Sequence, residues 1–319
     1  MKKALVLGAG GFIGSSLVNR LKNEGYWVRG ADLKYPEFSK TKADEFLICD
    51  LRNFESTKII FNIAGNFDEV YQLAADMGGA TYINGGENDA NVISNSVLIN
   101  VNIAKLCIAT GVKTLFFPSS ACVYSGYKDN ATCIESEVYP AFPDNEYGWE
   151  KLFSERMYYS YRKNFGLNVK IARFHSIVGP ESQWNGGKEK AHSALARKVA
   201  MINDKGTIDV IGDGTQTRTF LYIEDCLDAV RLLVNSNVTE PVNIGSDYLI
   251  SIKEYVLLLK SISGKDFAIN FIDGPTGVKG RECSIEKITK LLGWRPKIDL
   301  REATEKTYFW IKSQLEKRA

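Results

Sequence analysis

The sequence predicts an α/β protein in which a doubly wound parallel sheet is followed by a smaller C-terminal α/β lobe. Through the first half of the 319-residue chain, short apolar runs alternate with segments of helical periodicity, which is typical of βαβ units. A glycine-rich turn at residues 8–14 lies between the first apolar run and the first helix. Glycines at such a turn let the backbone bend tightly and approach a ligand closely.

The first half contains the elements of the large sheet. Residues 4–7, an unbroken apolar run, are predicted as a buried strand, and residues 12–23 as the helix after it. Further strands are predicted at residues 27–31, 46–48, 69–73, 114–118 and 169–172, with long helices at residues 92–110 and 146–164. Because βαβ crossovers are right-handed, the helices cover both faces of the sheet.

The second half changes character. Residues 179–190 are rich in glycine and polar residues and are predicted as a long loop. Ser251 and Glu254 form a capping box that opens one helix. Further helices are predicted at residues 191–202, 223–235, 284–292 and 301–317, and strands at residues 208–211 and 241–244. We therefore predict a dinucleotide-binding domain at residues 1–178 and a mainly substrate-binding lobe at residues 179–319, with some crossing of the chain between them.

The composition excludes several classes of function. The chain has 40 Lys and Arg against 38 Asp and Glu, with no basic run, so nucleic acid is not an expected partner. No stretch approaches the roughly 18 apolar residues of a membrane span. Six cysteines without a C-x-x-C pair, and only two histidines, predict reduced thiols and no metal site. The N-terminus lacks a signal-peptide pattern, so a cytoplasmic location is expected.

The glycine turn predicts a dinucleotide site on a Rossmann-type sheet. The spacing of Gly8, Gly11 and Gly14 is G-x-x-G-x-x-G, and the helix N-terminus that follows favours a pyrophosphate. Asp32 ends the second strand, where a carboxylate hydrogen-bonds a ribose 2′-hydroxyl and repels a 2′-phosphate, so we predict NAD rather than NADP. The residues predicted to line this cofactor are Gly8, Gly11, Phe12, Ile13, Gly14, Asp32, Asp50, Leu51, Leu73, Ala74, Ala75, Tyr147 and Lys151.

A second motif predicts hydride transfer. Tyr147 and Lys151 have the spacing Y-x-x-x-K at the start of a helix, which places both side chains on one face. A lysine ammonium beside a phenol favours the phenolate, which can take a hydroxyl proton as hydride leaves the same carbon. Ser120 stands at the end of an upstream strand, where it can hydrogen-bond the same substrate oxygen.

These motifs, together with the R-F-H-x-x-x-G-P stretch at residues 173–180, resemble the extended short-chain dehydrogenase/reductases. That family comprises NAD-dependent epimerases and dehydratases of nucleotide sugars, and the resemblance covers nearly the whole chain. Within it, the sequence is most similar to the GDP-mannose 3,5-epimerases. The similarity lies in residues 75–79, 119–124, 186–191, 212–218 and 308–312.

The resemblance implies further site residues. The residues at the places of Cys122 and Lys190 are an acid/base pair in those enzymes, while Ser120, Tyr147 and Lys151 match their oxidation machinery. The positions implied to contact substrate are Gly78, Ser120, Ala121, Cys122, Ser176, Glu189, Lys190, Ala191, Lys198, Gln216, Thr217, Arg218 and Arg281. The family usually has asparagine at the place of Ser176. Serine has one fewer donor, so the sugar or diphosphate contact there is expected to differ.

The implied reaction is epimerisation of a GDP-sugar, of the GDP-mannose or GDP-manno-heptose type, at carbon 3, carbon 5 or both. A transient ketone at carbon 4 would make the neighbouring protons acidic. A thiol at Cys122 is a usable base when a cation stabilises its thiolate, and Lys190 is expected to supply that cation. Two other functions fit the same residues: a nucleotide-sugar 4-dehydrogenase or single-centre epimerase, and a non-catalytic protein that senses NAD. The complete Ser, Tyr and Lys set argues against the last.

Several of these residues also have plainer interpretations. Cysteine usually packs as a small apolar residue, Lys190 could be solvated, and Arg218 and Arg281 could form surface salt bridges instead of clamping a diphosphate. The two histidines, His175 and His192, are interpreted as structural. The helices at residues 92–110 and 146–164 resemble those that pair across a two-fold axis in this family, so a homodimer is expected.

Overall fold

The computed structural model describes residues 1–125, 131–274 and 278–318. The strands are β1 Lys3–Leu7, β2 Trp27–Asp32, β3 Glu45–Ile48, β4 Glu69–Gln72, β5 Thr114–Ser120, β6 Ala131–Cys133, β7 Val169–Phe174, β8 Ser176–Val178, β9 Thr207–Ile211, β10 Thr217–Tyr222, β11 Val242–Ile244, β12 Leu249–Ser251, β13 Ala268–Ile272 and β14 Arg281–Cys283. The helices are α1 Phe12–Asn23, α2 Phe54–Phe61, α3 Ala80–Asn84, α4 Asp89–Ala109, α5 Glu146–Phe165, α6 Ala191–Met201, α7 Ile223–Val234, α8 Ile252–Ser263, α9 Glu286–Leu292 and α10 Leu300–Glu316.

A parallel sheet forms the larger unit. Within the described ranges its seven strands run in the order β11-β7-β5-β4-β1-β2-β3. The chain moves outward from β1 through β2 to β3, and outward in the other direction from β4 through β5 to β7. The connections therefore diverge between β1 and β4 and leave a crevice at the carboxyl ends of these strands. The predicted doubly wound α/β fold is confirmed, and its predicted strands and helices agree with the structure to within three residues.

Burial on both faces explains the apolar run that predicted β1. Ala4 and Val6 pack with residues of α1 and α7 on one face of the sheet. Leu5 and Leu7 pack with residues of α2, α4 and α5 on the other. A strand with helices on both sides has no solvent-facing side chain, so it shows no polar alternation.

Helix α4 is long and apolar enough to cross a membrane by length and composition, and in the described part of the chain it is the one such helix. This differs from the sequence-based expectation that no segment has that character. The helix packs against α2 and α5, and its polar residues Ser96, Asn100 and Asn102 are buried. Asn100 Nδ2 donates to Glu150 Oε1 at 2.9 Å and to Ser154 Oγ at 3.0 Å. These buried contacts to α5 indicate that α4 packs on the protein core.

The smaller lobe is assembled from short strands. In the described residues, β8, β10 and β12 form one sheet, β9 pairs with β13, and β6 pairs with β14. The chain crosses between the units in both directions, since β6 and β8 precede residue 179, whereas β11 and α7 follow it and pack on the large unit. The predicted capping box is present, with Ser251 Oγ accepting the Glu254 N–H at 3.1 Å. The sequence patterns missed β6, β8, β10, β12, β13, β14, α2 and α3.

Candidate active site

A cavity of about 1070 Å³ opens in the crevice and extends beneath the smaller lobe. Its wall includes the carboxyl ends of β1, β2, β4, β5 and β7, the loop at residues 181–190 and the start of α6. Every residue that the sequence analysis assigned to catalysis, cofactor or substrate lines this cavity, with the exception of Thr217. Residues far apart in the chain therefore meet around one space.

The glycine turn forms one end of the cavity. Gly11 is the N-cap of α1, and as glycine it has no side chain to cap the N–H groups of the first turn. A Cβ on Gly14 would overlap the Gly8 carbonyl, so only glycine lets the helix start against the strand. The uncapped helix N-terminus, with its partial positive charge, fits a pyrophosphate. Phe12 and Ile13 of the same turn also line the wall.

The acidic residue that ends β2 is fixed across the same space. Asp32 Oδ2 accepts the Gly10 N–H at 2.9 Å, and Oδ1 accepts the Leu33 N–H at 2.6 Å. An ionised carboxylate has about four acceptor positions, so two amides leave capacity for ribose hydroxyls. The uncapped helix and this carboxylate are the features that a dinucleotide with a free 2′-hydroxyl requires.

Two neighbouring strand ends complete this side of the cavity. Asp50 and Leu51 line it after β3, where Arg52 pairs with the Asp50 carboxylate at 2.6 Å. Leu73, Ala74 and Ala75 line it after β4. Gln72 Nε2 donates to the Ala74 carbonyl at 2.8 Å and to Asn100 Oδ1 at 3.0 Å, which holds this strand end against α4. Their contacts with a cofactor remain predictions.

The tyrosine, lysine and serine of the predicted hydride-transfer site come together. The Tyr147 and Ser120 hydroxyls share a hydrogen bond. Lys151 Nζ lies 5.5 Å from the centroid of the Tyr147 ring and 3.9 Å from Glu150 Oε2. Tyr147 and Lys151 are 8% and 3% exposed.

Burial sets the resting protonation of this group. Desolvation, with a smaller effect of Cys122 and Glu150, raises the pKa of the Tyr147 phenol well above its usual value, and only the Ser120 hydrogen bond opposes it. Burial lowers the pKa of Lys151, while the Glu150 carboxylate is the main group that raises it. Tyr147 is therefore a neutral phenol at rest. The expected lowering by Lys151 does not dominate in this structure, because the buried site penalises charge more strongly.

Cys122 belongs to the same rigid corner. Residues Ala121–Val123 form a single turn of 3₁₀-helix after β5, and the Cys122 N–H donates to Ser120 Oγ at 3.1 Å. The first turn of α5 packs directly on this turn, since a Cβ on Gly148 would overlap the Cys122 carbonyl. Ser120 and Cys122 are thus held beside Tyr147 by backbone packing.

Lys190, Arg218 and Arg281 line the same cavity as Cys122. A negative charge on Cys122 would favour the charged forms of all three side chains. Burial lowers the pKa of Lys190, whereas negative charge on Cys122 or Cys226 would raise it. Arg281 also pairs with Asp144 at 2.7 Å. Both members of the predicted acid/base pair therefore line one cavity, together with two arginines that can bind phosphate oxygens.

The remaining predicted substrate positions have definite neighbours. Glu189 Oε1 accepts from Arg197 at 3.0 Å, and Lys198 Nζ donates to the Asp209 carbonyl at 2.6 Å. Gln216 Nε2 donates to the Ile211 carbonyl at 2.8 Å, while its Oε1 is buried and has no hydrogen-bond partner among the residues that the structure describes. The other positions that line the cavity are Gly78, Ala121, Ser176 and Ala191.

Thr217 is the exception among the predicted substrate residues. It lies in β10 between Gln216 and Arg218, which do line the cavity. Thr217 itself does not line the cavity, and its N–H donates to the Lys279 carbonyl at 2.9 Å. A contact between Thr217 and substrate therefore remains a prediction.

Sequence reasoning missed several parts of the wall. Both histidines line the cavity. Burial lowers their pKa values to about 3, with help from Arg281 at His175 and from Lys190 at His192, so both are neutral. Asp76 and Lys188 also line it. Both lie in segments that resemble the GDP-mannose 3,5-epimerases, but neither belongs to a motif that predicts a function for it. Among the residues that the structure describes, no group of three or more His, Cys, Asp or Glu side chains is placed to hold a metal ion.

Comparison with known proteins agrees with this architecture. Residues 4–245 match the model of the NAD dependent epimerase/dehydratase family. The chain is 40% identical to a GDP-mannose 3,5-epimerase of Arabidopsis thaliana, over 99% of this chain and 83% of that protein. It is 39% identical to GDP-mannose 3,5-epimerase 1 of Oryza sativa subsp. indica, over 98% of this chain and 82% of that protein.

A solved structure shares the whole fold. The UDP-glucuronic acid 4-epimerase of Bacillus cereus, in complex with UDP-glucuronic acid and NAD, superposes with a TM-score of 0.83 at 27% identity. The match covers 98% of this chain and 99% of that chain.

Proposed function

This chain belongs to the NAD-dependent epimerase/dehydratase family, and on that premise we propose that it inverts carbon 3, carbon 5 or both of a GDP-linked, mannose-type sugar through a transient ketone at carbon 4. The proposal rests on one observation, that two sets of reactive side chains line the same cavity. Ser120, Tyr147 and Lys151 are equipped for oxidation, and Cys122 and Lys190 for proton transfer. Oxidation alone would not need the second set.

The GDP-linked sugar is favoured by similarity and is compatible with the cavity. The relatives that are 40% and 39% identical over nearly the whole chain are named GDP-mannose 3,5-epimerases. Arg218 and Arg281 provide guanidinium groups for a diphosphate, which such forks bind bidentately. These observations support a nucleotide diphosphate sugar, with guanine as the proposed base.

The residues divide the chemistry between them. NAD, when bound, would supply the hydride acceptor for oxidation at carbon 4 and the hydride donor for the later reduction. Tyr147, once deprotonated, accepts the proton of the carbon 4 hydroxyl, while Ser120 hydrogen-bonds the same oxygen and Lys151 stabilises the phenolate. The Gly8–Gly14 turn and Asp32 hold the dinucleotide.

Inversion then proceeds beside the ketone. The Cys122 thiolate takes the proton from carbon 3 or carbon 5, and the electron pair of that C–H bond moves into the enolate. Lys190 donates a proton to the opposite face, which inverts the centre. The resulting thiol and neutral amine exchange protons with solvent before the next turnover, so solvent hydrogen enters the product.

The proposal is tested by proton NMR of GDP-mannose, GDP-manno-heptose and a UDP-sugar, each incubated with the enzyme in deuterated water. We expect deuterium at carbon 3, carbon 5 or both of a GDP-sugar, with new epimer signals and no net oxidation. Exchange at one carbon alone identifies a single-centre epimerase. Accumulation of a ketone without exchange identifies a dehydrogenase and contradicts epimerisation. Turnover confined to the UDP-sugar contradicts guanine as the base.

The cofactor preference gives a separate prediction. The parent enzyme is expected to bind NAD more tightly than NADP, because the Asp32 carboxylate binds ribose hydroxyls and repels a 2′-phosphate. Asp32→Ala is expected to weaken NAD binding about 10–100-fold, the scale of a hydrogen bond to a charged group. It is also expected to reduce the difference in affinity between NAD and NADP. Titration of both cofactors onto the protein stripped of nucleotide measures this. Asp32→Asn is the control, since it keeps an oxygen for the Gly10 N–H. Equal affinity of the parent for NAD and NADP contradicts the assignment.

We also propose that the chain forms a homodimer through α4 and α5. These helices pack side by side and expose a row of large apolar side chains: Leu98 and Phe153 are each 50% exposed, and Trp149 is 39% exposed. Such residues on two adjacent helices suit burial against the same helices of a second copy.

The dimer is tested with Phe153→Glu. A carboxylate buried at the interface is strongly unfavourable, so light scattering during gel filtration is expected to show a dimer for the parent and a monomer for the variant. The matched control is Leu257→Glu on α8, where the leucine is 47% exposed and the helix packs on α6 and α10. A monomeric parent, or a dimeric Phe153→Glu protein, contradicts the proposal.

A cytoplasmic location is proposed on the state of the cysteines. All six are free thiols in the structure, which suits a reducing compartment. Fractionation of cells that express the tagged full-length chain tests it, and recovery outside the cytoplasmic fraction contradicts it.

A further inference from the structure

We propose that Lys188 is a positioning residue that holds Lys190 at the substrate through a contact with Asp76 and Tyr82. We call these three residues the clasp. The inference rests on the proposed function of Lys190 as the acid that faces Cys122. It joins Asp76, in the loop after β4, and Tyr82 of α3 to Lys188, in the loop before α6.

The side chains of the clasp form a closed set of contacts. Lys188 Nζ lies 4.0 Å from the centroid of the Tyr82 ring and 3.9 Å from Asp76 Oδ1. The Tyr82 hydroxyl donates to Asp76 Oδ1 at 2.8 Å, and Asn95 Nδ2 donates to Asp76 Oδ2 at 2.9 Å. Both carboxylate oxygens are therefore engaged, so the partner that receives Lys188 is itself fixed to α3 and α4.

The backbones of the segments that carry Asp76 and Lys188 are also in direct contact. The Gly79 N–H donates to the Lys188 carbonyl at 3.0 Å. A Cβ on Gly79 would overlap the Glu189 carbonyl, so the two loops run in direct backbone contact and residue 79 must be glycine. Lys190 follows immediately and is the N-cap of α6. The clasp thus fixes the chain two residues before the proposed acid.

The opposite end of this short segment is also tied. Glu189 accepts the Gly187 N–H at 2.6 Å and pairs with Arg197 of α6 at 3.0 Å. The residues before it, Gly186 and Gly187, are exposed and have positive φ, so they offer little support of their own. The Lys188 side chain is 51% exposed, and exposed ion pairs add little to global stability. Its effect is therefore expected in local order at Lys190 and not in the stability of the fold.

Lys188→Met tests the proposal, since it keeps the aliphatic stem and removes the charge. We expect solvent deuterium uptake into the substrate to slow about tenfold, on the scale of weak ion-pair and cation–π contacts. Formation of reduced cofactor in a single turnover should stay unchanged, because Ser120, Tyr147 and Lys151 lie on other elements. Lys188→Arg is expected to restore exchange. Tyr82→Leu should resemble Lys188→Met, and the double variant should be no slower than either single one, since both remove one contact.

A second measurement separates the clasp from the chemistry. Backbone hydrogen exchange of the peptide that contains Gly79 is expected to lose protection in Lys188→Met and to keep it in Lys58→Met. Lys58 is a surface lysine whose ion pair, at 4.0 Å, is close in length to the 3.9 Å pair of Lys188. Unchanged protection, or substrate exchange at the parent rate in Lys188→Met, overturns the clasp. Equal loss of the hydride step also overturns it, because that would be a general defect. If the parent never exchanges substrate protons, the proposed function fails, and amide protection alone still decides whether the clasp exists.

Discussion

Replacement of Tyr147 with phenylalanine is expected to abolish ketone formation and every later step, with a loss of about 10²–10⁴-fold in turnover. The change removes one oxygen, which accepts the substrate hydroxyl proton and shares a hydrogen bond with Ser120. The ring that packs beside Lys151 remains, so folding and cofactor binding should be preserved. Single-turnover absorbance of the reduced cofactor and deuterium uptake into the sugar should both fall together.

The matched control is Tyr158→Phe on the same helix. Tyr158 is fully buried, and its hydroxyl donates to Asn100 Oδ1 at 3.1 Å in the interior, away from the cavity. The Tyr158→Phe variant loses a buried hydroxyl that takes no part in the reaction. Its reduced-cofactor signal should therefore match that of the parent. Parent-like ketone formation by Tyr147→Phe would show that another group takes the proton.

Replacement of Cys122 with alanine is expected to separate the two halves of the reaction. Hydride removal should survive, because Tyr147, Lys151 and Ser120 are intact, while deuterium uptake should fall by about 10²–10⁴-fold with loss of the base. The reduced-cofactor signal should then persist without new epimer. Lys190→Ala is expected to behave similarly, with weaker substrate binding if its ammonium also contacts the diphosphate.

Cys133→Ala is the control for the loss of a thiol. Cys133 is buried in β6, away from the cavity wall, and burial raises its pKa to about 12, so it cannot act as a base near neutral pH. Its exchange rate should match that of the parent. If the parent forms the ketone but exchanges neither neighbouring proton, the enzyme is a dehydrogenase and Cys122 has a structural role.

The sequence was sufficient for the large sheet because its strands obey local rules. Strand β1 is apolar at every buried position, and α1 begins at the glycine turn that its sequence marks. The strands of the smaller lobe do not have this property. Strands β12 and β14 have three residues each, and β13 is largely exposed, so no apolar run or clean alternation marks them. Their pairing partners lie in distant segments, and only the tertiary fold selects them.

The residues of the site also divide into those that the sequence marks and those that only the tertiary fold brings together. Tyr147, Lys151 and the glycine turn could be recognised because their chemistry requires fixed spacings along one element. The contact of Lys188 with Asp76 joins residues more than a hundred positions apart and follows no spacing. Thr217 illustrates a second limit. A run of similarity along the chain does not distinguish the residues that line the cavity from a neighbour that does not, and Thr217 lies outside the cavity wall between Gln216 and Arg218.

The packing of Gly148 on Cys122 has a consequence for the fate of the ketone. Ser120, Cys122 and Tyr147 sit on one corner of the large unit, whereas Lys190 reaches them on a separate loop. A displacement of that loop changes the distance between the thiol and the amine and leaves the oxidising groups undisturbed. Under the proposed mechanism, the partition of the ketone between reduction back to the starting sugar and reduction after inversion therefore depends on the distance between the Cys122 thiol and the Lys190 amine. In a single turnover, the ratio of epimer to recovered substrate is expected to report on how firmly the loop holds Lys190 at that distance.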